Sequence, residues 1–231
     1  MESDYPFAGR KILMNPFLMI KRMLALRTSI VLGLPEASMD AEPFALFDQW
    51  FEEAKRYGFL MPEAMALATA TTDGRPSARM VLLKGVDEKG FVFYTNYDSR
   101  KGRELAANPN AALIFHWNAL ERSIRVEGHV ERVSAEESDA YFNSRYRRSR
   151  IGARISRQSR PLASKEQFHA EMAAEEKRFE GEESIPRPEH WGGFRVVPSR
   201  IEFWQGRPNR LHDRIVFQRM GGTWRSERLY P

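Results

Sequence analysis

The order of strand and helix signals limits most strongly what this chain can fold into. Short runs rich in β-branched and aromatic residues come in groups at 64–96, 111–133 and 192–231, and tight turns such as Asp73-Gly74 separate them. Helical patterns lie before and between these groups, so the strand-helix-strand alternation of a parallel sheet is missing. The pattern predicts an α+β fold, an antiparallel barrel with helices attached, in which 192–198 and 200–206 are separate strands.

Four helices are predicted around these strands. Residues 41–58 carry apolar side chains at helical spacing, which predicts a helix that docks its aromatic side on a core. These apolar residues are Phe44, Phe47, Trp50, Phe51 and Ala54. Ser99 is a suitable N-cap for a short helix over 99–109. Ser134 and Glu137 form a capping box that opens a helix predicted over 134–148, with Arg147 and Arg148 at its C-terminus, and a further helix is predicted over 164–181.

One domain is predicted for residues 39–231, preceded by a basic arm at residues 1–38. The chain has 231 residues, of which 42% are hydrophobic, and this is enough for one sizeable core. Residues 5–35 contain no acidic residue, and basic residues interrupt their apolar runs, so a membrane-spanning helix is not expected. Three interpretations of the arm remain open: it packs on the body or on a partner, it is a basic amphipathic surface segment, or it is poorly ordered.

Composition excludes several kinds of chemistry. The chain contains no cysteine, which excludes disulfides, thiolate zinc sites and cysteine nucleophiles. Its five histidines show no metal-ligand spacing, so no metal site is predicted. The absence of cysteine and of a clear export signal favours a cytoplasmic protein. The net charge of +5 suits nucleic acid, a membrane surface or a phosphorylated small molecule.

The placement of basic residues favours the small phosphorylated molecule. Arg79 and Arg100 lie beside dense apolar sequence, where an unpaired charge is costly and a phosphate would offset that cost. Arg100 and Lys101 also lie in the first turn of a predicted helix. The helix dipole is positive at this end and disfavours cations there, unless an anion binds beside them. Nucleic acid is disfavoured because the basic residues are spread along the chain and balanced by 31 acidic residues.

The segment WQGRPNRLHDR, residues 204–214, raises the same expectation. It concentrates Arg207, Arg210, His212 and Arg214 beside a single acid, Asp213. Basic groups this close repel one another unless something negative lies among them. An anionic ligand is therefore expected near this segment as well.

Eight short motifs occur in order along the chain and carry a family resemblance. They are RMVLLK (79–84), FYTN (93–96), SRKG (99–102), QSRP (158–161), WGGFR (191–195), FWQG (203–206), RLHDR (210–214) and RLYP (228–231). From about residue 40 to 231 the chain resembles the pyridoxamine/pyridoxine 5′-phosphate oxidase family. The resemblance implies an antiparallel split β-barrel that binds FMN, with peripheral helices, in a homodimer with two FMN sites at the subunit interface.

The resemblance also implies which residues bind the cofactor. Arg79, Arg100 and Lys101 would hold the FMN phosphate and ribityl region. The remaining FMN residues would be Met80, Val81, Leu82, Leu83, Lys84, Tyr94, Thr95, Gln158, Ser159, Trp204 and Arg214. Three positions depart from the family pattern: Ser123 stands where glutamine is usual, Tyr146 replaces a proline, and Arg154 stands where an aromatic residue is common.

The substrate residues are likewise implied by the resemblance. Lys84, Tyr141, Arg145 and Ser149 would meet the substrate phosphate. The catalytic pair Arg210 and His212 would contact the pyridine ring and its 3-hydroxyl, positioning the ring and stabilising charge rather than taking a proton. The anions near residues 204–214 would then be the flavin and pyridoxal phosphate. Arg207 has no implied role and is interpreted as plain surface.

The implied activity is the oxidation of pyridoxamine 5′-phosphate and pyridoxine 5′-phosphate to pyridoxal 5′-phosphate. Substrate C4′ would give a hydride equivalent to flavin N5, and O₂ would take the electrons and form H₂O₂. An imine formed from the amine substrate would be hydrolysed to the aldehyde. Two alternatives remain: a split-barrel flavoprotein of another activity, such as a flavin reductase or diverged oxidase, and a non-catalytic pyridoxal phosphate carrier or basic nucleic-acid-binding module.

Overall fold

The computed structural model describes Leu34 and residues 42–231, and the described residues form one antiparallel sheet with five α-helices around it. The strands are β1 (Ala64–Ala70), β2 (Pro76–Leu82), β3 (Gly85–Asp87), β4 (Gly90–Asn96), β5 (Asn110–Trp117), β6 (Arg122–Arg132), β7 (Trp191–Gln205), β8 (Asp213–Met220) and β9 (Thr223–Arg228). The helices are α1 (Pro43–Arg56), α2 (Arg100–Ala107), α3 (Ala135–Ser144), α4 (Arg147–Ile155) and α5 (Lys165–Arg178). The predicted α+β class is confirmed.

Every strand pairing among the described residues is antiparallel. The order across the sheet is β2-β1-β5-β6-β7-β4-β3, and β8 pairs with β7 and then with β9. Both predicted N-terminal hairpins form, β1 with β2 through the Asp73-Gly74 turn and β3 with β4. In the second turn, Oδ1 of Asp87 accepts hydrogen bonds from the backbone N–H groups of Lys89 and Gly90, which fixes the tight reversal.

Strand β7 is the longest element among the described residues, and it pairs with β6, β4 and β8. The strands predicted over 192–198 and 200–206 are one strand, because Pro198 and Ser199 are accommodated by a β-bulge rather than a turn. On β6, Glu127 pairs with Arg200 and the next residue, Gly128, pairs with Pro198. A Cβ at Gly128 would lie 2.1 Å from the carbonyl oxygen of Val197, so only glycine allows this close approach.

The core lies between α1 and the concave face of the sheet. As predicted, α1 buries its aromatic side: the ring of Phe47 meets Phe91 edge-on at 5.0 Å, and Trp50 meets Phe203 at 5.3 Å. Such edge-to-face contacts add stability beyond the burial of apolar area. A second, smaller cluster forms where α3, α4 and α5 cover the start of β7. Its buried members are Phe142, Ile151, Ala153, Met172, Ile185 and Trp191.

The predicted helix starts are confirmed, but one predicted helix is broken. The hydroxyl oxygens of Ser99 and Ser134 accept hydrogen bonds from the N–H groups of Gly102 and Glu137. The helix predicted over 134–148 ends at Ser144, because Arg145 is extended, with φ −78° and ψ 151°. Arg147 and Arg148 therefore begin α4 instead of ending α3, and the new direction buries Ile151.

The basic arm predicted at residues 1–38 lies outside the described residues except for Leu34, which is buried in the main core. None of the helices in the described part of the chain is long and apolar enough to span a bilayer.

Candidate active site

A first cavity of about 310 Å³ opens where the end of β2, the middle of β4, α2 and α3 meet. Its walls are formed by Met80, Val81, Leu82, Lys84, Tyr94, Thr95, Lys101, Tyr141, Arg145, Gln158 and Trp191. All but Trp191 belong to the predicted cofactor or substrate residues. The fold thus brings together residues from five separate segments of the chain.

The most buried cation of this cavity is Lys101. Its side chain lies in the first turn of α2, and the residue is 8% exposed. The ammonium group donates to Thr95 Oγ1 at 3.1 Å, Ser99 Oγ at 3.2 Å and Gln158 Oε1 at 2.6 Å. Burial, and then the nearby positive charge of Arg79, lower the pKa of Lys101 to about 8. No carboxylate of the described residues forms an ion pair with Lys101, so its charge is left for a ligand to balance.

Arg145 is a second cation that has no acidic partner within the described part of the chain. Its guanidinium lies 4.7 Å from the ring centre of Trp191, a cation–π distance. The buried Nη1 atom has no hydrogen-bond partner among the described residues. Burial lowers the pKa of Arg145, and the neighbouring Tyr141 only partly opposes this effect. A buried, unsatisfied guanidinium nitrogen is costly, so this atom is suited to receive an anionic oxygen.

Three stacked aromatic rings lie beside the Arg145 guanidinium, and Trp191 is the ring in contact with it. Tyr94 stacks on Tyr141 with ring centres 4.0 Å apart, and Trp191 lies nearly parallel to both. Burial raises the pKa of Tyr94 to about 12, with a further contribution from the charge of Glu137. Tyr94 therefore stays protonated, and the stack fixes the Tyr141 hydroxyl at the cavity wall beside Arg145.

Arg79 and Arg100 do not lack an anion, contrary to the expectation from their apolar neighbours. Both donate to the buried Glu104, Arg79 at 3.1 Å and Arg100 at 2.8 Å. Thr69 and Ser77 also donate to this carboxylate, at 2.5 Å and 2.7 Å. Burial alone would raise the pKa of Glu104, but these hydrogen bonds outweigh it and lower the pKa to about 2. Glu104 was missed from the sequence, although its i,i+4 spacing from Arg100 was a usable signal.

A second cavity, of about 410 Å³, lies on the face of β5, β6, β7 and β8. It is lined by Ile114, His116, Ser123, Arg125, Glu202, Trp204, Arg214 and Pro231. Arg214 is held there by two hydrogen bonds to Oε1 of the buried Glu202, at 2.9 Å and 2.7 Å, and by one to the carbonyl oxygen of Tyr230. The chain's own carboxylate is thus the anion next to Arg214.

The loop between β7 and β8 carries the predicted catalytic pair. Arg210 is exposed and, like Asn209, has a positive φ, 61° and 58° respectively. His212 is half-buried, with its ring centre 4.7 Å from that of Trp204. The interpretation of Arg207 as plain surface is wrong: its side chain is 15% exposed and forms a two-pronged ion pair with Asp213.

Several predicted residues fall outside the two cavities. The Leu83 side chain is buried in the main core. Ser149 is exposed on α4, and Ser159, with φ 70°, lines a neighbouring 500 Å³ pocket. Arg210 and His212 line neither cavity, although His212 adjoins the second through Trp204. The two cavities share no lining residue.

The three departures from the family pattern have distinct surroundings. Ser123 lies in the second cavity and pairs across the sheet with Trp204. Tyr146 is exposed ahead of α4. Arg154 is largely buried, donates to Glu175 at 2.7 Å and lies 4.8 Å from the ring centre of Phe179, so it packs α4 on α5. Across Leu34 and residues 42–231, no three acidic or histidine side chains cluster as a metal site would require.

Comparison with known proteins gives matches along nearly the whole described chain. Residues 51–179 match the family described as "Pyridoxamine 5'-phosphate oxidase", and residues 191–231 match "Pyridoxine 5'-phosphate oxidase C-terminal dimerisation region". A relative from Rubrobacter xylanophilus, named pyridoxine/pyridoxamine 5′-phosphate oxidase, is 59% identical over 86% of this chain and 91% of its own length.

Two solved structures share the fold. PhzG from Burkholderia lata, in complex with tetrahydrophenazine-1-carboxylic acid, is 32% identical, with a TM-score of 0.82 over 88% of this chain and 100% of its own. An FMN-binding protein from Nostoc punctiforme, related to pyridoxamine 5′-phosphate oxidase, is 17% identical, with a TM-score of 0.65 over 84% of this chain and 100% of its own. The antiparallel sheet is therefore the curled sheet of a split barrel, as predicted.

Proposed function

Because the chain belongs to the pyridoxamine 5′-phosphate oxidase family, we propose that it oxidises pyridoxamine 5′-phosphate and pyridoxine 5′-phosphate to pyridoxal 5′-phosphate with FMN as cofactor. The proposal rests on one observation above all. The first cavity contains the buried cation Lys101 and the half-buried cation Arg145, whose Nη1 atom is buried, and neither has a carboxylate partner among the described residues. A phosphorylated cofactor and a phosphorylated substrate would supply one anion each.

The FMN phosphate belongs at the α2 side of the cavity. Lys101 would give it a charge-assisted hydrogen bond, and Gln158 and Thr95 hold that ammonium in place. Arg79 and Arg100 lie next to it with their guanidinium groups oriented by Glu104. The net charge of these four ionised groups is +2, which matches a phosphate dianion. The unpaired Nη1 atom of Arg145 and the absence of a carboxylate partner for Lys101 among the described residues support the assignment of anionic ligands to this cavity.

The substrate phosphate belongs with Lys84, Tyr141 and Arg145 in the same cavity, and Ser149, which is exposed on α4, is the remaining proposed contact. The stack of Tyr94, Tyr141 and Trp191 keeps Arg145 from turning away, so the phosphate is bound in one orientation. Arg210 and His212 would then contact the pyridine ring and its 3-oxygen, orienting the ring and stabilising its charge.

FMN would supply a two-electron oxidant for substrate C4′, with O₂ as the final electron acceptor and H₂O₂ as the product. The chain's own residues bind, orient and balance charge. Ionised Glu104 keeps its two arginines fixed, and protonated Tyr94 holds the aromatic stack without contributing a negative charge.

The complete site would form in a homodimer. A C-terminal dimerisation region matches residues 191–231, which carry Trp204, Arg210, His212 and Arg214. One chain keeps these residues apart from the first cavity, so the second cavity and loop of one protomer would complete the first cavity of its partner. A cytoplasmic location stays a prediction from composition.

The visible absorption spectrum tests the proposal. We expect purified protein to be yellow, to bleach when pyridoxamine 5′-phosphate is added without oxygen, and to recover its colour in air. A yellow protein that is bleached by another reductant but not by either phosphorylated vitamer would be a flavoprotein of different activity. A colourless protein that cannot be reconstituted with FMN would refute the cofactor assignment.

A further inference from the structure

We infer that Arg207 is a positioning residue that holds the Arg210–His212 loop in shape and fixes His212 as a neutral imidazole with its proton on Nε2. The role of the loop toward substrate rests on the proposed function. The arrangement of Arg207, Asp213 and His212 is a property of the chain itself, so it can be tested separately.

The side chain of Arg207 ties the two ends of the loop together. Its Nε and Nη2 atoms donate to Oδ2 of Asp213 at 2.9 Å and 2.8 Å. Both side chains are shielded, at 15% and 30% exposure. Arg228 contacts the other oxygen of Asp213, but at 3.3 Å and with 44% exposure. The two-pronged and better buried pair should therefore dominate in holding the loop closed.

The loop needs such a restraint because of its backbone. Asn209 and Arg210 both lie in the left-handed region, with φ 58° and 61°. Residues other than glycine seldom adopt this conformation, and they keep it only where surrounding contacts enforce it. The ion pair between Arg207 and Asp213 joins the residues on either side of both positions. It therefore restrains the direction in which the Arg210 side chain points from the loop.

The backbone of Arg207 sets the protonation pattern of His212. The Arg207 N–H group donates to Nδ1 of His212 at 3.2 Å. An imidazole nitrogen that accepts a hydrogen bond carries no proton, so the ring proton lies on Nε2. The ring also leans on Trp204, with 4.7 Å between ring centres. His212 therefore offers Nε2–H as a hydrogen-bond donor, which suits a negatively polarised ring oxygen of the ligand.

Two measurements test this inference in the full-length protein. The first is the ¹⁵N spectrum of histidine-labelled protein, with His212 assigned by its loss in His212→Gln. We expect wild type to show His212 with a protonated Nε2 and an unprotonated Nδ1, and Arg207→Ala to show averaging between the two tautomers. This measurement needs no substrate and no turnover, so its result does not depend on whether the proposed function is correct.

The second measurement is steady-state kinetics with pyridoxamine 5′-phosphate. We expect Arg207→Ala to lower kcat/KM at least tenfold with unchanged flavin content, and Arg207→Lys to fall between that variant and wild type. The control Arg228→Ala removes the outer ion pair to the same carboxylate and should stay within twofold of wild type. If Arg207→Ala fails to fold, Asp213→Asn weakens the same pair at nearly constant size and should give the same two changes.

Three outcomes would overturn the inference. They are a wild-type His212 protonated on Nδ1, an Arg207→Ala spectrum identical to wild type, and an Arg228→Ala defect equal to that of Arg207→Ala. If wild type oxidises neither vitamer while the tautomer result holds, the proposed function fails and the structural role of Arg207 remains.

Discussion

The Nζ atom of Lys101 lies 2.6 Å from Oε1 of Gln158, which ties the first turn of α2 to the segment after α4. These residues are far apart in the sequence, and each was expected to contact the same cofactor. The contact gives the ammonium a fixed position and neutral partners, but it does not neutralise its charge. A bound phosphate would do so, and several measurable effects depend on that difference.

FMN binding should weaken as pH rises above 8. Burial, and then Arg79, lower the pKa of Lys101 to about 8 in the ligand-free protein, whereas its ordinary value is 10.5. A bound phosphate stabilises the ammonium, so binding takes up a proton in this window, and affinity should fall by up to about tenfold per pH unit. Titration by flavin fluorescence between pH 7.5 and 9.5 measures the slope. Lys101→Met should bind weakly with no such slope, whereas the exposed control Lys89→Met should keep it.

Lys101 should also make the stability of the ligand-free protein depend on pH. Because the folded-state pKa of Lys101 lies below the unfolded value, the unfolded chain binds more protons between about pH 8 and 10.5. The contribution of this group to the free energy of unfolding is therefore unfavourable below pH 8 and improves as pH rises through 10.5. Wild type should therefore gain unfolding free energy relative to Lys101→Met as pH rises from 8 to 10.5, which denaturant titration of both proteins across this range measures. A constant difference would contradict the assigned burial.

Glu104→Gln should both destabilise the protein and weaken FMN binding. The substitution leaves Arg79 and Arg100 without their carboxylate, and breaking such a buried pair costs roughly 3 kcal/mol. The folded-state pKa of Glu104 is about 2, below its ordinary value of 4.5, so its contribution is present above pH 4.5 and lost as pH falls toward 2. Urea unfolding at pH 7 and pH 4 measures the loss of stability and its pH dependence, and titration by flavin fluorescence measures FMN binding. Glu52→Gln removes an exposed ion pair and should change the unfolding free energy little.

Arg145→Met should separate substrate binding from cofactor binding. Losing a charged hydrogen bond to phosphate should raise KM for pyridoxamine 5′-phosphate about 10- to 100-fold, with flavin content unchanged. The rate with unphosphorylated pyridoxamine should be the same in Arg145→Met and wild type, because that molecule has no phosphate to bind. Arg148→Met, on the exposed side of α4, is the matched control. Equal losses with both substrates would show that Arg145 does not contact the phosphate.

Mixing two impaired variants should restore activity at a subsaturating concentration of pyridoxamine 5′-phosphate if the site is shared between protomers. Arg145→Met damages the first cavity and Arg214→Ala damages the second. After the subunits are exchanged, half of the dimers are mixed and each contains one intact site, so activity should return to about a quarter of wild type. If each protomer used only its own two cavities, mixing would restore nothing. Two differently tagged forms of Arg145→Met provide the control, since they exchange without complementing.

The periodic parts of the fold could be predicted from the sequence, because each strand or helix shows its own hydrophobic pattern. Phe47 and Trp50 lie in the core as their spacing indicates, and Ser99 and Ser134 cap the helices that they precede. The break at Arg145 could not be predicted in this way, because arginine favours helices. The chain changes direction there, and α4 then buries its apolar side.

The site could be predicted residue by residue through the family resemblance, but its electrostatics could not. Arg207 and Asp213 are six positions apart, and the loop that brings them together has left-handed conformations at Asn209 and Arg210. Asparagine adopts this region more readily than most residues, but arginine gives no such signal. Glu104 joins α2 to Thr69 and Ser77 on neighbouring strands, a relationship that only the folded sheet creates. Its partner Arg79 therefore has an anion before any ligand arrives.

Strand β7 has a consequence for how the protein is made. The first six residues of β7 pair with β4, and they leave the ribosome about 100 residues after β4 does. Strands β6 and β8 pair with the remaining residues of β7. Until β7 emerges, the three-residue β3 is the only strand of the described residues that pairs with β4, and the sheet cannot close. We therefore expect closure to be a late, slow step of folding, and nascent chains that stop before Trp191 to keep an open strand edge prone to aggregation.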